Sequence, residues 1–281
     1  MTLTRRQTID LLAARGLHPR RALGQNFVTD PNTVRRITRL AEVRTGDRVI
    51  EVGAGLGSLT RALADAGAQV TAVEVDPGLA GILRDTVASV GVTVVEADAM
   101  TLDWDGLLGP QPGAWVLVAN LPYNIATPLV GDLLDGVPAI RRMLVMVQRE
   151  VGERFAAHVG ADAYGAISVK VAYWATAKLV GRVPAAVFVP RPAVESVLVD
   201  IRRRDQPAVD PAVVPAGELF ALVRAGFGQR RKMLRRSLEA LVSPEQFAMA
   251  EIPPTARAEE LDVLAWGRLG AARRGLRSDD G

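Results

Sequence analysis

The sequence contains no cysteine and only two histidines, His18 and His158. The first absence excludes disulfides, thiolate metal sites and any cysteine nucleophile, including the covalent route for methylating a pyrimidine carbon. The second makes a histidine-based zinc site improbable, and none is expected. No apolar run approaches the ~18–20 residues of a membrane span, and the N-terminus has no apolar signal core. A soluble cytoplasmic protein is the expectation. Lysine is scarce as well: Lys170, Lys178 and Lys232 are its only occurrences. The basic charge is therefore carried by arginine, which suits bidentate phosphate contacts.

What is present is a chain of 281 residues, 49% hydrophobic, with a formal net charge of +3 and a pI near 9.7. That length accommodates one large α/β domain and a smaller one. The arginines cluster at Arg5-Arg6, Arg15, Arg20-Arg21, Arg202 to Arg204, Arg230-Arg231-Lys232 and Arg235-Arg236.

Apolar runs at 48–52, 69–75, 93–96, 115–119 and 142–147 read as strands. Between them lie helix starts of one kind, an N-cap followed by proline: Asp30-Pro31, Asp76-Pro77 and Thr127-Pro128. Strands alternating with helices predict a Rossmann-like, doubly wound, mostly parallel sheet, in which ligands bind beyond the carboxyl ends of the strands. A helix over 165–175 and a closing pair of strands over 178–183 and 196–203 complete seven strands. Residues 203–215 read as a linker, and 218–241 and 258–274 as helices. The expected domains are therefore a catalytic domain over 1–203, with a basic N-terminal lead, and a small helical domain over 204–281.

The polar residues that matter fall at the expected strand ends. After the first strand comes Gly53-Ala54-Gly55-Leu56-Gly57, where glycine lets backbone approach a ligand. Its G-x-G-x-G spacing, with Ser58 where the dinucleotide pattern has its third glycine, suits S-adenosylmethionine better than a nicotinamide cofactor. Glu74 can accept from ribose hydroxyls and Asp98 from an adenine amino group; either, alone, is equally a solvated strand end or a cap. After the fourth strand comes Asn120-Leu121-Pro122-Tyr123. Its amide can bond the edge of a planar base, its ring can stack on the face, and a proline without N–H leaves carbonyl acceptors. Together they suit an exocyclic amine awaiting methylation.

These blocks resemble the KsgA (RsmA) family of small-subunit (16S) rRNA adenine N6,N6-dimethyltransferases. The likeness runs over residues 23–261, through Leu23-Gly24-Gln25-Asn26-Phe27-Val28, the glycine turn, Val73-Glu74-Val75-Asp76, Asp98-Ala99-Met100, Asn120 to Ile125, Met146 to Val151, Tyr164-Gly165, Phe188 to Pro192 and Gln229-Arg230-Arg231-Lys232. The resemblance implies S-adenosylmethionine as methyl donor, S-adenosylhomocysteine as product, and two adjacent adenines near the 3′ end of 16S rRNA as target, in a monomer. It implies cofactor contacts from Asn26, Val28, Gly53, Gly55, Glu74, Asp98 and Asn120. It implies Asn120 and the Leu121 carbonyl, with Pro122, as the amino-group site, and Tyr123 stacking with Phe188 on the other face; Phe188 reads equally as core. Arg230, Arg231, Lys232, Arg235 and Arg236, expected on one helix, are either a solvated face or an rRNA contact. Ala54, Gly228 and Met233 depart from the family pattern. The related Erm class, which methylates large-subunit rRNA and confers antibiotic resistance, and a non-catalytic rRNA-binding assembly factor are the alternatives.

Overall fold

The computed structural model describes residues 3–20 and 23–276; Arg21 of the basic lead lies outside them. The strands are β1 (Phe27–Val28), β2 (Arg48–Val52), β3 (Gln69–Glu74), β4 (Thr93–Glu96), β5 (Trp115–Asn120), β6 (Ile140–Gln148), β7 (Ala175–Val183), β8 (Phe188–Val189) and β9 (Ser196–Arg203). Seven of them form one sheet in the order β4-β3-β2-β5-β6-β9-β7. The pairs from β4 through β6 are parallel, and β9 runs antiparallel to β6. The order reverses between β2 and β5, which makes the gap beyond their carboxyl ends the natural ligand site. The sheet centre is dry: Val49, Ile50, Leu117 and Leu144 have no exposed surface.

Helices α1 (Arg5–Ala14), α2 (Pro31–Leu40), α3 (Ser58–Asp65), α4 (Pro77–Val87), α5 (Trp104–Leu108), α6 (Ala126–Gly136) and α7 (Arg149–Ala156) belong to the connections of this sheet or precede it. Two of the three expected caps are real. Asp30 accepts from the N–H groups of Asn32 and Thr33, and Asp76 from those of Gly78 and Leu79. The third is not. α6 starts at Ala126, because the Pro122 carbonyl already accepts from the Ile125 and Ala126 N–H groups. Pro128 then sits in the first turn, where its missing N–H costs nothing.

The arginine of β6 ties the sheet to α2. Arg142, nearly buried, donates to the Leu40 and Ala41 carbonyls at the end of α2 and pairs with Asp200 (2.6 Å) and Glu42 (2.9 Å). Arg202 joins the same network through Asp200 and Glu42. Part of the arginine clustering is thus structural.

The fold divides into two compact units. One is the chain up to Gly152 with Lys178–Arg202; the other is Glu153–Ala177 with everything from Arg203 onward. The crossing at Arg202/Arg203 lies one residue from the expected boundary. The segment Glu153–Ala177, expected in the first domain, groups with the second unit. The reason is packing: α8 (Ala166–Trp174) places Val169 and Tyr173 in a core with Phe220, Phe247 and Trp266. The 203–215 stretch contributes Val209, Val213 and Val214 to that core, so it straps the unit rather than floating as a linker.

Two expected helices of this unit are broken. α9 (Ala216–Gly228) ends at Gly228, and only a short α10 (Leu234–Ser237) follows. Between them the chain turns because the N–H groups of Leu234 and Arg235 bond to the carbonyls of Ala256 and Pro254 instead of continuing a helix. After α11 (Pro244–Met249), the last expected helix becomes a 3₁₀ turn at Ala258–Glu260 and α12 (Val263–Arg273), which Asp262 caps through the Ala265 N–H. No helix among the described residues is long and apolar enough to cross a membrane.

Candidate active site

A cavity opens at the carboxyl ends of β2 to β5. Gly53, Glu74, Asp98 and Asn120 line it, one from each strand end, together with Asn26 and Val28. Thr8 of α1 and Glu51 of β2 line it too, and sequence reasoning assigned neither a role. Thr8 offered no signal beyond its place in an amphipathic helix. Glu51 offered one: an acid inside an apolar strand.

Glycine is required twice in this wall. Gly53 has φ +71°, and a Cβ there would lie 3.2 Å from Pro122 Cδ. Gly55 has φ +56°, and a Cβ would press the Phe27 ring at 3.0 Å. Both positions disfavour any side chain sterically and conformationally. The turn thus lets the 120–123 segment and the 24–28 loop close on the same space.

Glu74 is buried. Its Oε2 accepts from the Gly55 N–H (2.8 Å) and its Oε1 from the Asp76 N–H (3.0 Å). A carboxylate has about four acceptor sites, so each oxygen keeps capacity for a ribose hydroxyl. Burial raises its pKa, against those backbone bonds. Asp98 is exposed, and its Oδ1 accepts from the Met100 N–H at 2.9 Å. It therefore makes the turn and lines the cavity at once.

Asn120 is the best-defined group. Its Nδ2 donates to the Asn26 carbonyl at 2.9 Å, and Asn26 is itself held by Nδ2 donating to the Gly24 carbonyl. With the nitrogen committed, Oδ1 is left as an acceptor. The Leu121 N–H is used by the Met146 carbonyl, while its own carbonyl accepts no bond from the described residues. The neighbouring Pro122 carbonyl is consumed by the start of α6.

Tyr123 is half-buried and does not line the cavity with Asn120 and Pro122. Its hydroxyl is 2.9 Å from Ser196 Oγ, and Ser196 is fully buried at the start of β9. Burial pushes the phenol pKa upward. Phe188 corrects the stacking expectation. Its ring has no exposed surface and packs with Val34, Ile37 and Leu198, while its backbone pairs with Val28 in the small β1–β8 sheet. It is core, with no free face for a base.

Glu51 is 2% exposed, and its pKa is raised to about 8, by burial first and by Glu74 after the opposing influence of Thr60. Among the described residues no cluster of three or more His, Asp or Glu side chains is placed to hold a metal ion.

In the second unit the basic residues lie on a turn and a short helix. Arg230 is held by Glu259 (2.6 Å) and the Asp162 carbonyl (3.0 Å). Arg236 lies 3.8 Å from Glu239. Arg231, Lys232 and Arg235 are exposed and form no ion pair among the described residues.

The family model described as ribosomal RNA adenine dimethylase matches residues 16–269. A ribosomal RNA small subunit methyltransferase A of Kineococcus radiotolerans is 46% identical, covering 97% of this chain and 92% of its own length. Its counterpart in Streptomyces coelicolor is also 46% identical, over 92% and 93%. Among solved structures, the 23S rRNA methyltransferase ErmE superposes with a TM-score of 0.69 at 27% identity, covering 88% of this chain and 99% of that one. A dimethyladenosine transferase from Plasmodium falciparum gives the same TM-score at 23% identity, over 85% and 94%, a likeness of fold. The cavity at the strand ends fits the methyl donor of such enzymes: spare acceptor capacity on buried Glu74, and a glycine wall that a Cβ would obstruct. With the family model and relatives of this identity spanning nearly the whole length, the chain belongs to the ribosomal RNA adenine dimethylase family.

Proposed function

We propose that this chain uses S-adenosylmethionine to dimethylate N6 of two adjacent adenines near the 3′ end of 16S rRNA, acting as a monomer on the small ribosomal subunit or its precursor in the cytoplasm. The observation that carries the reading is the Asn120 amide: its nitrogen is spent on the Asn26 carbonyl, so an acceptor stands beside the cavity. S-adenosylmethionine, when bound, supplies an electrophilic methyl group on sulfur and leaves as S-adenosylhomocysteine. Gly53, Gly55, Glu74, Asp98, Asn26, Val28 and Asn120 would hold it.

Adenine N6 is a poor nucleophile because its lone pair is delocalised into the ring. Asn120 Oδ1 and the Leu121 carbonyl accept its two hydrogens and favour a tetrahedral nitrogen whose lone pair forms the new N–C bond. The resulting ammonium is acidic and loses its proton to water, so no dedicated base is needed. After one methylation a single N–H remains to be held. Positioning supplies most of the acceleration. Tyr123 stacks on the extruded base, worth about 1–3 kcal/mol, which offsets the few kcal/mol lost on unstacking it. With Phe188 buried, one aromatic face does this. Arg231, Lys232 and Arg235 contact rRNA phosphates, with Arg230 and Arg236 partly neutralised by their acids.

The Erm alternative shares the fold, as the ErmE likeness makes plain; identity of 46% to small-subunit enzymes against 27% to ErmE favours the small subunit. Incubation with S-adenosylmethionine and unmodified 30S particles, followed by mass-spectrometric mapping, is expected to give dimethyladenine in 16S rRNA. Product on large-subunit rRNA alone rejects the assignment.

A further inference from the structure

Tyr123 is tied to a residue that the chemistry above leaves out. Ser196 opens β9, has no exposed surface, and places its Oγ 2.9 Å from the Tyr123 hydroxyl. A buried hydroxyl needs a partner, and among the described residues the phenol is the one this serine has. Burial pushes the phenol pKa upward, so the ring keeps its proton at neutral pH and one hydroxyl can always donate to the other.

The bond reaches across one strand. β5, which leads into Tyr123, lies on one side of β6, and β9 lies on the other. The end of β6 holds both flanks. The Met146 carbonyl accepts from the Leu121 N–H, Gln148 pairs with Ser196 in the β6–β9 ladder, and the Arg149 N–H donates to the Glu195 carbonyl. The Tyr123 side chain therefore bridges the carboxyl end of β6. Its backbone is held as well: a Cβ on Gly24, at φ +63°, would lie 3.0 Å from the Tyr123 nitrogen, so the 24–28 loop lies close against it. A ring held at both ends keeps little freedom to swing. Pro122 lines the cofactor cavity and Tyr123 does not. The tie thus keeps the ring toward β9, beside the donor's space rather than in it.

We propose that Ser196 is a positioning residue that sets the plane of the Tyr123 ring, and that its effect falls chiefly on the second methyl transfer. The inference rests on the adenine reading above. In the first transfer N6 carries two hydrogens, which Asn120 Oδ1 and the Leu121 carbonyl accept, and these two bonds fix the base within its own plane. Transfer forms the N–C bond, breaks the donor's S–C bond and releases one proton to water, so N6 returns neutral with one hydrogen. One acceptor bond is then gone, and a methyl group stands in its place. The ring on the face of the base must supply the orientation that the lost bond supplied. A ring free to swing presents the base over a range of angles, whereas transfer needs the nitrogen lone pair aligned with the methyl–sulfur axis.

The test is a time course on the full chain, with enzyme and S-adenosylmethionine in excess over unmodified 30S particles, and with monomethyl- and dimethyladenine read separately by mass spectrometry. Ser196→Ala and Tyr123→Phe each remove the tie. Each should slow the second transfer about 2- to 10-fold, the range that one hydrogen bond spans, and the first by less, so that monomethyladenine accumulates. Calorimetry with S-adenosylhomocysteine should give wild-type affinity in both, because neither residue lines the cavity. The double variant should be no slower than the slower single one, since both substitutions delete the same bond. Equal slowing of the two transfers, or effects that multiply in the double variant, overturns the proposal. If Ser196→Ala fails to fold, Tyr123→Phe, which keeps the ring, decides from the monomethyl fraction alone. A wild-type product ratio in the variants defeats this inference alone; no methylated adenine in 16S rRNA from wild type defeats the adenine reading with it.

Discussion

At the carboxyl ends of the strands the candidate site is held by main chain. Asn120 is oriented by the Asn26 carbonyl, Glu74 by the Gly55 and Asp76 N–H groups, and Asp98 by the Met100 N–H. The 229–236 segment of the second unit is the reverse: Arg231, Lys232 and Arg235 extend into solvent with nothing to orient them. Short side chains bonded to backbone hold a geometry to fractions of an ångström, as a reaction requires. Long cations lose that precision but respond to any nearby phosphate. The two regions should therefore fail differently when altered, the first in rate and the second in salt-dependent affinity.

The sharpest break comes from Asn120→Ala. Removing one preorganised group from a reaction centre typically costs about 100- to 1,000-fold, and methyl transfer to 30S particles should fall by that order while the melting temperature holds. Asn120→Asp keeps an acceptor but loses the donor to Asn26, and should fall between. Full turnover in either would remove the amino-group site. Next in size is Glu51. Its folded pKa of about 8 lies above its ordinary 4.5, so the folded state binds more protons between those values, and stability falls as pH rises through that window. Glu51→Gln should flatten this loss, on the order of a few kcal/mol, as seen by denaturation at about pH 5 and pH 8. An unchanged slope would mean the carboxyl is ionised throughout. Tyr123→Ala should cost about 1–3 kcal/mol in the RNA-dependent step and leave cofactor affinity intact. Tyr123→Phe gives up only the Ser196 bond, about 1 kcal/mol.

Legibility followed the same division. The strand ends were readable because apolar runs stop where polar residues begin, and Asp30 and Asp76 cap as written. Thr127-Pro128 has the same pattern and no cap, since a carbonyl five residues back had already started the helix. No local signal could report that. The basic run read as helical by spacing, yet residues 254–256 capture its N–H groups from more than 15 residues away. Phe188 in a short Phe-Val-Pro stretch is compatible with surface or core, and only the β1–β8 pairing buries it. An acid in a strand fits the exposed face of an alternating pattern, whereas a sheet covered on both sides leaves Glu51 no such face.

The smallest effects test the second region. If Arg231 and Lys232 each neutralise one phosphate, Arg231→Ala and Lys232→Ala should each lower the slope of log affinity against log salt by about 0.7–0.9 and weaken binding uniformly across RNA sequences, with turnover at saturating RNA unchanged. Arg230 is the internal control. It carries the same charge but is bound to Glu259 and the Asp162 carbonyl. Arg230→Ala should cost up to about 1 kcal/mol of stability, as partly exposed pairs do, and move the salt slope less than its neighbours. Filter binding across a salt series, with a melting curve for each variant, separates the outcomes. Equal slopes for all three would mean that net charge, not which cations are free, governs RNA binding, and the contrast between a bonded and an unbonded arginine would lose its meaning.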